Sequence, residues 1–352
     1  MPEQQKTLVI LSPGFPKDEA DTTCLPTQQL FVKSLQAQYP DLKIVVLAFR
    51  YPFVKATYEW HGVEIISLNN RRKGFINHLA LWLRIWQLLR RLKTQHNIIG
   101  LLSFWCTEYA MVAKYFAIRN GLKYFIWLKG QDARAGNQFV RLIKPKGDEL
   151  IAISDFVADE FYRNYKVRPL HIVPNAIDES LFIGEQAERD VDILGVGSLI
   201  PLKQYDVFIE VVKDIKAKIP DISTVICGKG PEADNLKEAI RNQLLDNHIA
   251  IIGEQPHNEV LKLMQRSKIL LHPSSYEGFS TVCLEALYAG MHVISFHKPM
   301  KENIKNWHVV KDKNEMAEKA ITLLLDPDTK FERVRVYAME DTVNAVMNLF
   351  YK

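Results

Sequence analysis

The sequence contains few of the residues that cross-link small domains through disulfides or metals. Only four cysteines occur in 352 residues, and no two of them have the short spacing of a zinc-ligand pair. Disulfide frameworks and structural zinc sites are therefore both disfavoured. The sequence also lacks an apolar run long enough for a transmembrane helix, and the run near its first residue is too short for a signal peptide. These absences predict a cytoplasmic protein without a membrane span.

A strong excess of one charge is also missing. Lys and Arg number 45 against 41 Asp and Glu, a formal net charge of +4. This mildly basic balance suits phosphorylated substrates or an anionic surface and argues against nucleic acid as a partner. An NAD enzyme is disfavoured too, because the turn after the first predicted strand contains Gly14 alone and not a Gly-x-Gly-x-x-Gly motif.

What is present is the pattern of a two-domain α/β protein. The hydrophobic fraction of 47% and the charged fraction of 24% are those of a globular chain. Predicted strands alternate with predicted helices throughout, which favours parallel sheets. A polar stretch at 182–190 is the predicted linker. We therefore predict domains at 1–183 and 184–335 and a last helix at 336–352.

The most informative stretch is LLHPSSYEGFSTVCLEALYAGMHVIS, residues 270–295. Its apolar start predicts a buried strand, its small polar residues a loop, and Ser280 to Ala289 a helix that ends before Gly290. Val293 begins the next strand. In such a strand–helix–strand unit, ligands bind at the carboxyl ends of the strands.

The loop before this helix has the features of a phosphate site flanked by hydroxyl-rich groups. The helix N-terminus attracts an anion, and Gly278 lets a phosphate approach the backbone. A carboxylate next to a phosphate is repelled, so Glu277 is better suited to sugar hydroxyls. Glu285, further along the helix, could accept hydrogen bonds from a ribose. These residues predict a nucleotide sugar as the ligand.

The pair Glu277-x7-Glu285 within PSSYEGFSTVCLEALYAG resembles the signature of retaining glycosyltransferase family four. The resemblance implies the GT-B fold, α/β with two Rossmann-like domains whose parallel sheets face each other across a cleft. It also implies that the last helix, at 336–352, returns to the first domain. It implies transfer of a sugar from a nucleotide-diphosphate sugar to an acceptor hydroxyl of a glycan or lipid-linked acceptor, with retained anomeric configuration. The alternative for the two glutamates is a turn residue and a solvated helix carboxylate.

Other segments resemble the family's donor-binding motifs. Lys203 resembles the lysine of the family's Gly-Arg…Lys-Gly motif, with four residues between it and Ser198, which stands where the arginine is expected. Gly228 opens a Gly-x-Gly-Pro turn, and Gly14 lies in the loop where the family carries a glycine pair. The resemblance thus implies that the donor is bound by Gly14, Ser198, Lys203, Gly228, Glu277, Gly278, Phe279, Ser280 and Glu285.

The catalytic residues implied in this way are Glu277, Lys203 and Asp132. Glu277 would orient the sugar, and Lys203 would neutralise the departing diphosphate. Asp132 ends a Lys129-Gly130-Gln131-Asp132 turn that resembles the family's His-Gly-x-Asp, which faces the acceptor side. A helix cap is an equally good interpretation of Asp132.

No cofactor or metal is expected. The string Asp190-Val191-Asp192 matches an Asp-x-Asp metal motif, but it lies at the start of a strand without a third ligand in view. We interpret the match as coincidence.

Two alternatives to transfer stay open on these residues. One is a sugar-nucleotide epimerase or hydrolase on the same fold. The other is a non-catalytic sugar-nucleotide-binding protein, which the serine at position 198 makes conceivable.

The segment 69–93 is basic and aromatic. It contains seven basic residues and no acidic ones, together with Phe75, Trp82 and Trp86. It predicts either a crossover helix buried against the sheet or a helix lying on an anionic membrane. We expect buried tryptophans, exposed basic ends and weak peripheral contact with the inner face of a membrane.

Overall fold

The computed structural model describes residues 5–69, 75–182 and 188–351. The chain divides into two compact units, the first comprising Met1–Asn175 with Tyr337–Lys352 and the second comprising Ala176–Val336. Composition had suggested boundaries at 183/184 and 335/336, whereas backbone contacts put them at 175/176 and 336/337. Each unit contains its own sheet.

The first unit is built on an eight-stranded sheet in the order β3-β4-β2-β1-β5-β6-β7-β8. Every neighbouring pair is parallel except β3 and β4, which form an antiparallel hairpin. The strands are β1 (Lys6–Gly14), β2 (Lys43–Tyr51), β3 (Ala56–Trp60), β4 (Val63–Ser67), β5 (Asn97–Phe104), β6 (Lys123–Leu128), β7 (Leu150–Ala152) and β8 (His171–Ile172). The helices are α1 (Pro26–Gln38), α2 (Phe75–Gln95), α3 (Glu108–Asn120), α4 (Gly130–Ala133), α5 (Gln138–Ile143) and α6 (Asp155–Tyr165).

The centre of this sheet follows from its apolar strands. Residues 8–11 of β1 and 45–49 of β2 are completely buried, as expected for parallel strands that are covered on both faces. Because the central strands run in the same direction, their carboxyl ends lie at one edge. That edge holds Gly14 and the segment after β6 that contains Asp132.

Helix α2 covers most of the segment 69–93, and aliphatic side chains form its buried face. These side chains recur at helical spacing and are Leu81, Ile85, Leu89 and Leu92. Trp82 and Trp86 are only partly buried, and Trp86 packs edge-on against Phe116 of α3 with the ring centroids 5.2 Å apart. The helix is a packed crossover element, but the prediction of buried tryptophans is wrong, because both lie at the margin of the interior.

The opposite face of α2 is exposed and basic. Arg84, Gln87 and Arg91 are all exposed and form a narrow polar stripe, as in an amphipathic helix. Residues 70–74, which carry three of the basic side chains, lie outside the described residues. Among the residues that are described, no helix is both long and apolar enough to cross a membrane.

Two leucines of α2 provide a matched test of this orientation. Leu89 is fully buried, whereas Leu83 is 64% exposed. We expect Leu89→Ala to lower the free energy of unfolding by about 2–5 kcal/mol, because it leaves a cavity. Leu83→Ala, the same substitution at an exposed site, should change it by less than about 0.5 kcal/mol. Urea denaturation followed by circular dichroism measures the free energy of unfolding of both variants. Equal losses of stability would contradict the orientation of α2 in which Leu89 faces the interior and Leu83 the solvent.

The second unit contains a six-stranded, wholly parallel sheet in the order β11-β10-β9-β12-β13-β14. Its strands are β9 (Val191–Val196), β10 (Thr224–Cys227), β11 (Ile249–Gly253), β12 (Ser267–His272), β13 (His292–Ser295) and β14 (Trp307–Val309). Its helices are α7 (Tyr205–Lys216), α8 (Ala233–Asn242), α9 (His257–Gln265), α10 (Thr281–Tyr288) and α11 (Lys313–Leu325). One core cluster joins the apolar faces of α7, α8 and α11 to strand residues such as Ile193 and Ile269.

The last helix, α12 (Met339–Tyr351), belongs to the first unit although it follows the second in sequence. Thr342 Oγ1 donates to the carbonyl of Pro174 at 3.1 Å, and Phe350 packs edge-on against Phe125 at 5.1 Å. Both contacts lie within the first unit, so the chain returns to that unit after the second one.

Candidate active site

The stretch 270–295 forms the strand–helix–strand unit that its sequence predicted. Strand β12 ends at His272, helix α10 starts at Thr281, and β13 starts at His292. Ser280 occupies the N-cap position, but its side chain makes no capping hydrogen bond to the described backbone. The first amide groups of α10 are therefore not capped by that hydroxyl and suit an anion.

Lys203 and Glu277 meet at this helix although they are far apart in sequence. Lys203 ends a short 3₁₀ turn after β9, and its Nζ lies 2.6 Å from Glu277 Oε2. The turn and the loop are joined by the amide of Ser275, which donates to the carbonyl of Leu202 at 2.9 Å. Two residues predicted to act on the donor are thus side by side.

The electrostatics of Glu277 keep it ionised. Burial alone would raise the pKa of this carboxyl group, but His272 and Lys203 outweigh that effect and hold the pKa at about 2. Glu277 is therefore a permanent acceptor of hydrogen bonds near neutral pH. It suits the orientation of hydroxyl groups better than proton transfer.

His272 is a neighbour of Glu277 that the sequence did not indicate. Its Nε2 lies 3.4 Å from Glu277 Oε2 and 3.2 Å from Ser274 Oγ. In the sequence it looks like the last residue of a buried strand, and only its position five residues before Glu277 could have drawn attention to it.

Glu285 also has a histidine partner that could not be foreseen. His257, the first residue of α9, lies with Nε2 2.8 Å from Glu285 Oε1. Glu285 is largely buried, with 14% of its side chain exposed, whereas His257 is 44% exposed. The hydrogen bond to Glu285 raises the pKa of His257. The pair orients the carboxylate that we assigned to the ribose.

The other predicted donor-binding residues of this unit differ in how far they are exposed to solvent. Ser198 is exposed, while Gly278 and Ser280 are buried in the loop. Phe279 is buried and stacks against Trp307 with the ring centroids 5.9 Å apart. Its ring anchors the loop to the core, so any contribution of Phe279 to donor binding would come from its backbone.

Gly228 lies where two backbone segments approach each other closely. A Cβ atom at this position would lie 1.8 Å from the carbonyl oxygen of Gly197. The loops that follow β9 and β10 are therefore packed against each other through a residue without a side chain. Gly228 shapes the edge of the predicted donor site.

In the first unit, the side chain of Asp132 is buried and joins two backbone segments. Its Oδ1 accepts from the amide of Cys106 at 3.0 Å, and its Oδ2 accepts from the amide of Lys129 at 2.8 Å. This geometry matches the helix-cap interpretation of Asp132. Burial raises its pKa to about 7. With both oxygens engaged and 3% of the residue exposed, an acceptor-side role stays a prediction.

The side chain of Lys129 points into the interior of the first unit. Its Nζ donates to Asn175 Oδ1 at 3.1 Å and lies 4.2 Å from the centre of the Trp127 ring. Burial lowers the pKa of this amine to about 7. Lys129 thus ties the end of β6 to Asn175, the last residue before the unit boundary.

Gly14 lies at the carboxyl end of β1 and packs against β2. A Cβ atom there would lie 3.2 Å from Tyr51 Cβ, and the amide of the next residue, Phe15, donates to the carbonyl of Tyr51. These contacts are structural, and donor binding by Gly14 remains a prediction.

The carboxylates of the Asp190-Val191-Asp192 string are held by basic side chains. Asp190 pairs with Arg266, and Asp192 Oδ1 lies 2.8 Å from Lys268 Nζ. Within the described ranges, no group of three or more His, Cys, Asp or Glu side chains could hold a metal ion.

Comparison with known proteins gives a match to one family model over the second unit. Residues 177–340 match the family model "Glycosyl transferases group 1". The Schizosaccharomyces pombe phosphatidylinositol N-acetylglucosaminyltransferase gpi3 subunit is 26% identical over 203 residues, which are 56% of this chain and 44% of that protein. The 2-deoxystreptamine N-acetyl-D-glucosaminyltransferase of Niallia circulans is 27% identical over 43% of this chain and 40% of that protein. The chain thus spans less than half of the length of these relatives.

A solved structure supports the fold over the whole chain. Anabaena HepE in complex with UDP and glucose aligns with a TM-score of 0.71 and 15% identity, covering 98% of this chain and 100% of that one. The alignment confirms the predicted fold class, the GT-B fold with two α/β units.

Proposed function

We propose that the protein transfers a sugar from a nucleotide-diphosphate sugar to an acceptor hydroxyl, with retained anomeric configuration. The observation that carries this proposal is the Lys203–Glu277 pair at the N-terminus of α10 within the group 1 domain. A cation and a helix N-terminus suit the diphosphate, and an ionised carboxylate suits the sugar hydroxyls.

The chemistry follows from where charge develops. As the bond from the anomeric carbon to the diphosphate breaks, negative charge grows on the leaving phosphate oxygens. Lys203 and the first amides of α10 stabilise that charge, so we propose transfer that does not require a metal. Glu277 fixes the sugar, and Glu285, held by His257, accepts the ribose hydroxyls.

The relatives suggest the substrates to test first. Both are N-acetylglucosaminyltransferases by name, one acting on phosphatidylinositol and one on 2-deoxystreptamine, and HepE was solved with UDP. We therefore propose UDP-N-acetylglucosamine as the donor. Phosphatidylinositol and 2-deoxystreptamine both offer ring hydroxyls, so we propose a cyclitol-bearing glycan or lipid-linked acceptor.

The decisive experiment measures UDP release and product mass. The full chain is incubated with UDP-N-acetylglucosamine, EDTA, and either phosphatidylinositol vesicles or 2-deoxystreptamine, with GDP-mannose and ADP-glucose as control donors. We expect UDP release that requires an acceptor and persists in EDTA. Release without acceptor would favour the hydrolase or epimerase alternative. Binding without turnover would favour the non-catalytic alternative, and loss in EDTA that manganese reverses would contradict metal independence.

Lys203 should matter for the phosphates and not for the nucleoside. We expect Lys203→Ala to weaken UDP binding by about 1.5–3 kcal/mol, because it removes a charge-assisted contact. Uridine binding should stay unchanged. Isothermal titration of both ligands measures the difference, and equal losses would place Lys203 away from the diphosphate.

We also propose weak contact of the segment 69–93 with anionic membranes. The exposed Arg84 and Arg91 of α2 support it, and each basic residue near such a surface adds about 1 kcal/mol of attraction that salt screens. Flotation with anionic vesicles at low and high salt tests the idea. Failure to float at low salt would leave α2 as a packing helix only.

A further inference from the structure

The carboxylate of Glu277 has two nitrogen neighbours on one oxygen. Lys203 Nζ lies 2.6 Å from Oε2, and His272 Nε2 lies 3.4 Å from the same atom. Oε1 is therefore the oxygen that a sugar hydroxyl would reach without displacing either neighbour. His272 is 5% exposed and has no role in the function proposed above. An apolar residue at the end of β12 would avoid the cost of burying an imidazole.

The proton of His272 can be assigned from its surroundings. Burial lowers the pKa of His272, against the opposing effect of Glu277, so the imidazole is neutral near pH 7. A neutral imidazole carries one N–H. A lone pair on Nε2 would face the ionised oxygen of Glu277, which is unfavourable. The proton therefore lies on Nε2, whose neighbouring acceptors are Ser274 Oγ at 3.2 Å and Glu277 Oε2 at 3.4 Å.

Binding of the donor changes what Lys203 can do for Glu277. Lys203 is a flexible point charge, and a bound diphosphate competes with Glu277 for it. When Lys203 turns to the diphosphate, Glu277 loses its shortest contact while it must still hold the sugar. His272 is on a strand, is buried, and cannot follow the diphosphate.

Building on the proposed function, we propose that His272 is a positioning residue, whose Nε2–H keeps Glu277 in place when the donor diphosphate draws Lys203 away. The contribution of His272 is then specific to the step in which the sugar must be oriented. It should appear in kcat and hardly at all in the affinity for UDP.

The first test compares three variants of buried histidines. We expect His272→Leu to lower kcat by about tenfold to a hundredfold, the effect of losing one hydrogen bond to a charged group, with the Kd for UDP changed less than about threefold. His272→Gln, whose amide nitrogen can replace Nε2, should restore most of kcat. His292→Leu removes a buried histidine whose ring nitrogens contact His308 and the carbonyl of Lys330, and it should leave kcat unchanged.

The second test asks whether His272 acts through Glu277. In a Glu277→Gln background, His272→Leu should lower the residual kcat by less than about twofold, because the carboxylate it positions is gone. If the fold-losses in kcat of the two single variants multiply in the double variant, the proposal is overturned. So would failure of His272→Gln to restore activity while that variant folds normally.

A readout without turnover separates this inference from the function on which it rests. In ¹⁵N spectra of the histidine side chains, Glu277→Gln should shift the His272 Nε2 resonance and leave His292 unchanged. An unmoved His272 resonance overturns the positioning role whatever the activity. If the resonance shifts but the protein neither binds nor turns over any nucleotide sugar, the proposed function is overturned. The contact between His272 and Glu277 would still stand.

Discussion

The Glu277→Ala variant is expected to lose sugar transfer by a factor of about 10²–10³, the usual effect of removing one preorganised polar contact to the reacting group. UDP should bind as tightly as before or more tightly. Without Glu277, Lys203 loses its partner at 2.6 Å and becomes fully available to the diphosphate, and a carboxylate that repels phosphate is gone. Turnover assays with UDP-N-acetylglucosamine and titration with UDP measure the two effects. Near-normal turnover would remove Glu277 from the reaction.

Glu285→Ala is the matched control, since it deletes the other glutamate of the same helix unit. Its carboxylate contacts His257 and is assigned to the ribose. We expect weaker binding of both UDP and uridine, because both carry the ribose. A loss restricted to turnover would show that the two glutamates have been assigned the wrong way round.

The second large effect is on stability and concerns Gly228. A Cβ atom at Gly228 would lie 1.8 Å from the carbonyl oxygen of Gly197, and a backbone atom cannot be displaced as cheaply as the end of a side chain. We expect Gly228→Ala to lower the free energy of unfolding by at least about 3 kcal/mol, as in severe overpacking. The same shift should disturb the loop that carries Lys203 and weaken UDP binding.

Gly253→Ala provides the control for Gly228→Ala. Gly253 ends the neighbouring strand β11 and has a φ of +76°, yet among the described residues no atom beyond Gly253 and its two chain neighbours lies within 4 Å of an added Cβ. Its substitution tests backbone strain without a clash and should cost about 1 kcal/mol. Urea denaturation measures both variants. Equal losses would show that conformation at these strand ends matters more than the contact with Gly197.

Much of the fold was predictable because its signals are local. Apolar runs of strand length alternate with amphipathic segments, and strands linked through helices pair in parallel, so two parallel α/β sheets follow from the order of elements. The helix at 281–288 was predicted to within a residue at each end.

The segment 69–93 was harder to predict in detail. Its periodicity predicted a helix, but whether tryptophan or an aliphatic residue occupies the interior depends on the helix and strand packed against it. Ile85 and Leu89 are fully buried, while Trp86 lies at the margin against Phe116. Which side chain is buried depends on the shape of the surface that packs against α2. The periodicity of one segment carries no information about that surface.

Spacing alone predicted the candidate site only where its residues are close in sequence, whereas Lys203 was predicted from the family resemblance. Glu277, Gly278 and Glu285 share one loop and helix, so their spacing alone suggested a phosphate flanked by hydroxyls. Asp132 shows the limit of this reasoning, because a cap and a site residue have the same local sequence. Its contacts with the amides of two other residues, Cys106 and Lys129, show a structural role, while the acceptor-side role stays a prediction.

Local sequence was sufficient for the alternation of strands and helices and for the loop–helix segment at 277–285 on which the proposed function rests, although it did not predict the β3–β4 hairpin. Which distant side chains meet is instead a property of the folded chain. Lys203 reaches Glu277, and His257 reaches Glu285, because parallel strands bring their carboxyl ends to one edge of a sheet whatever their separation along the chain. His272 contacts Glu277 through the loop that follows β12, although its sequence context is only that of a buried strand end.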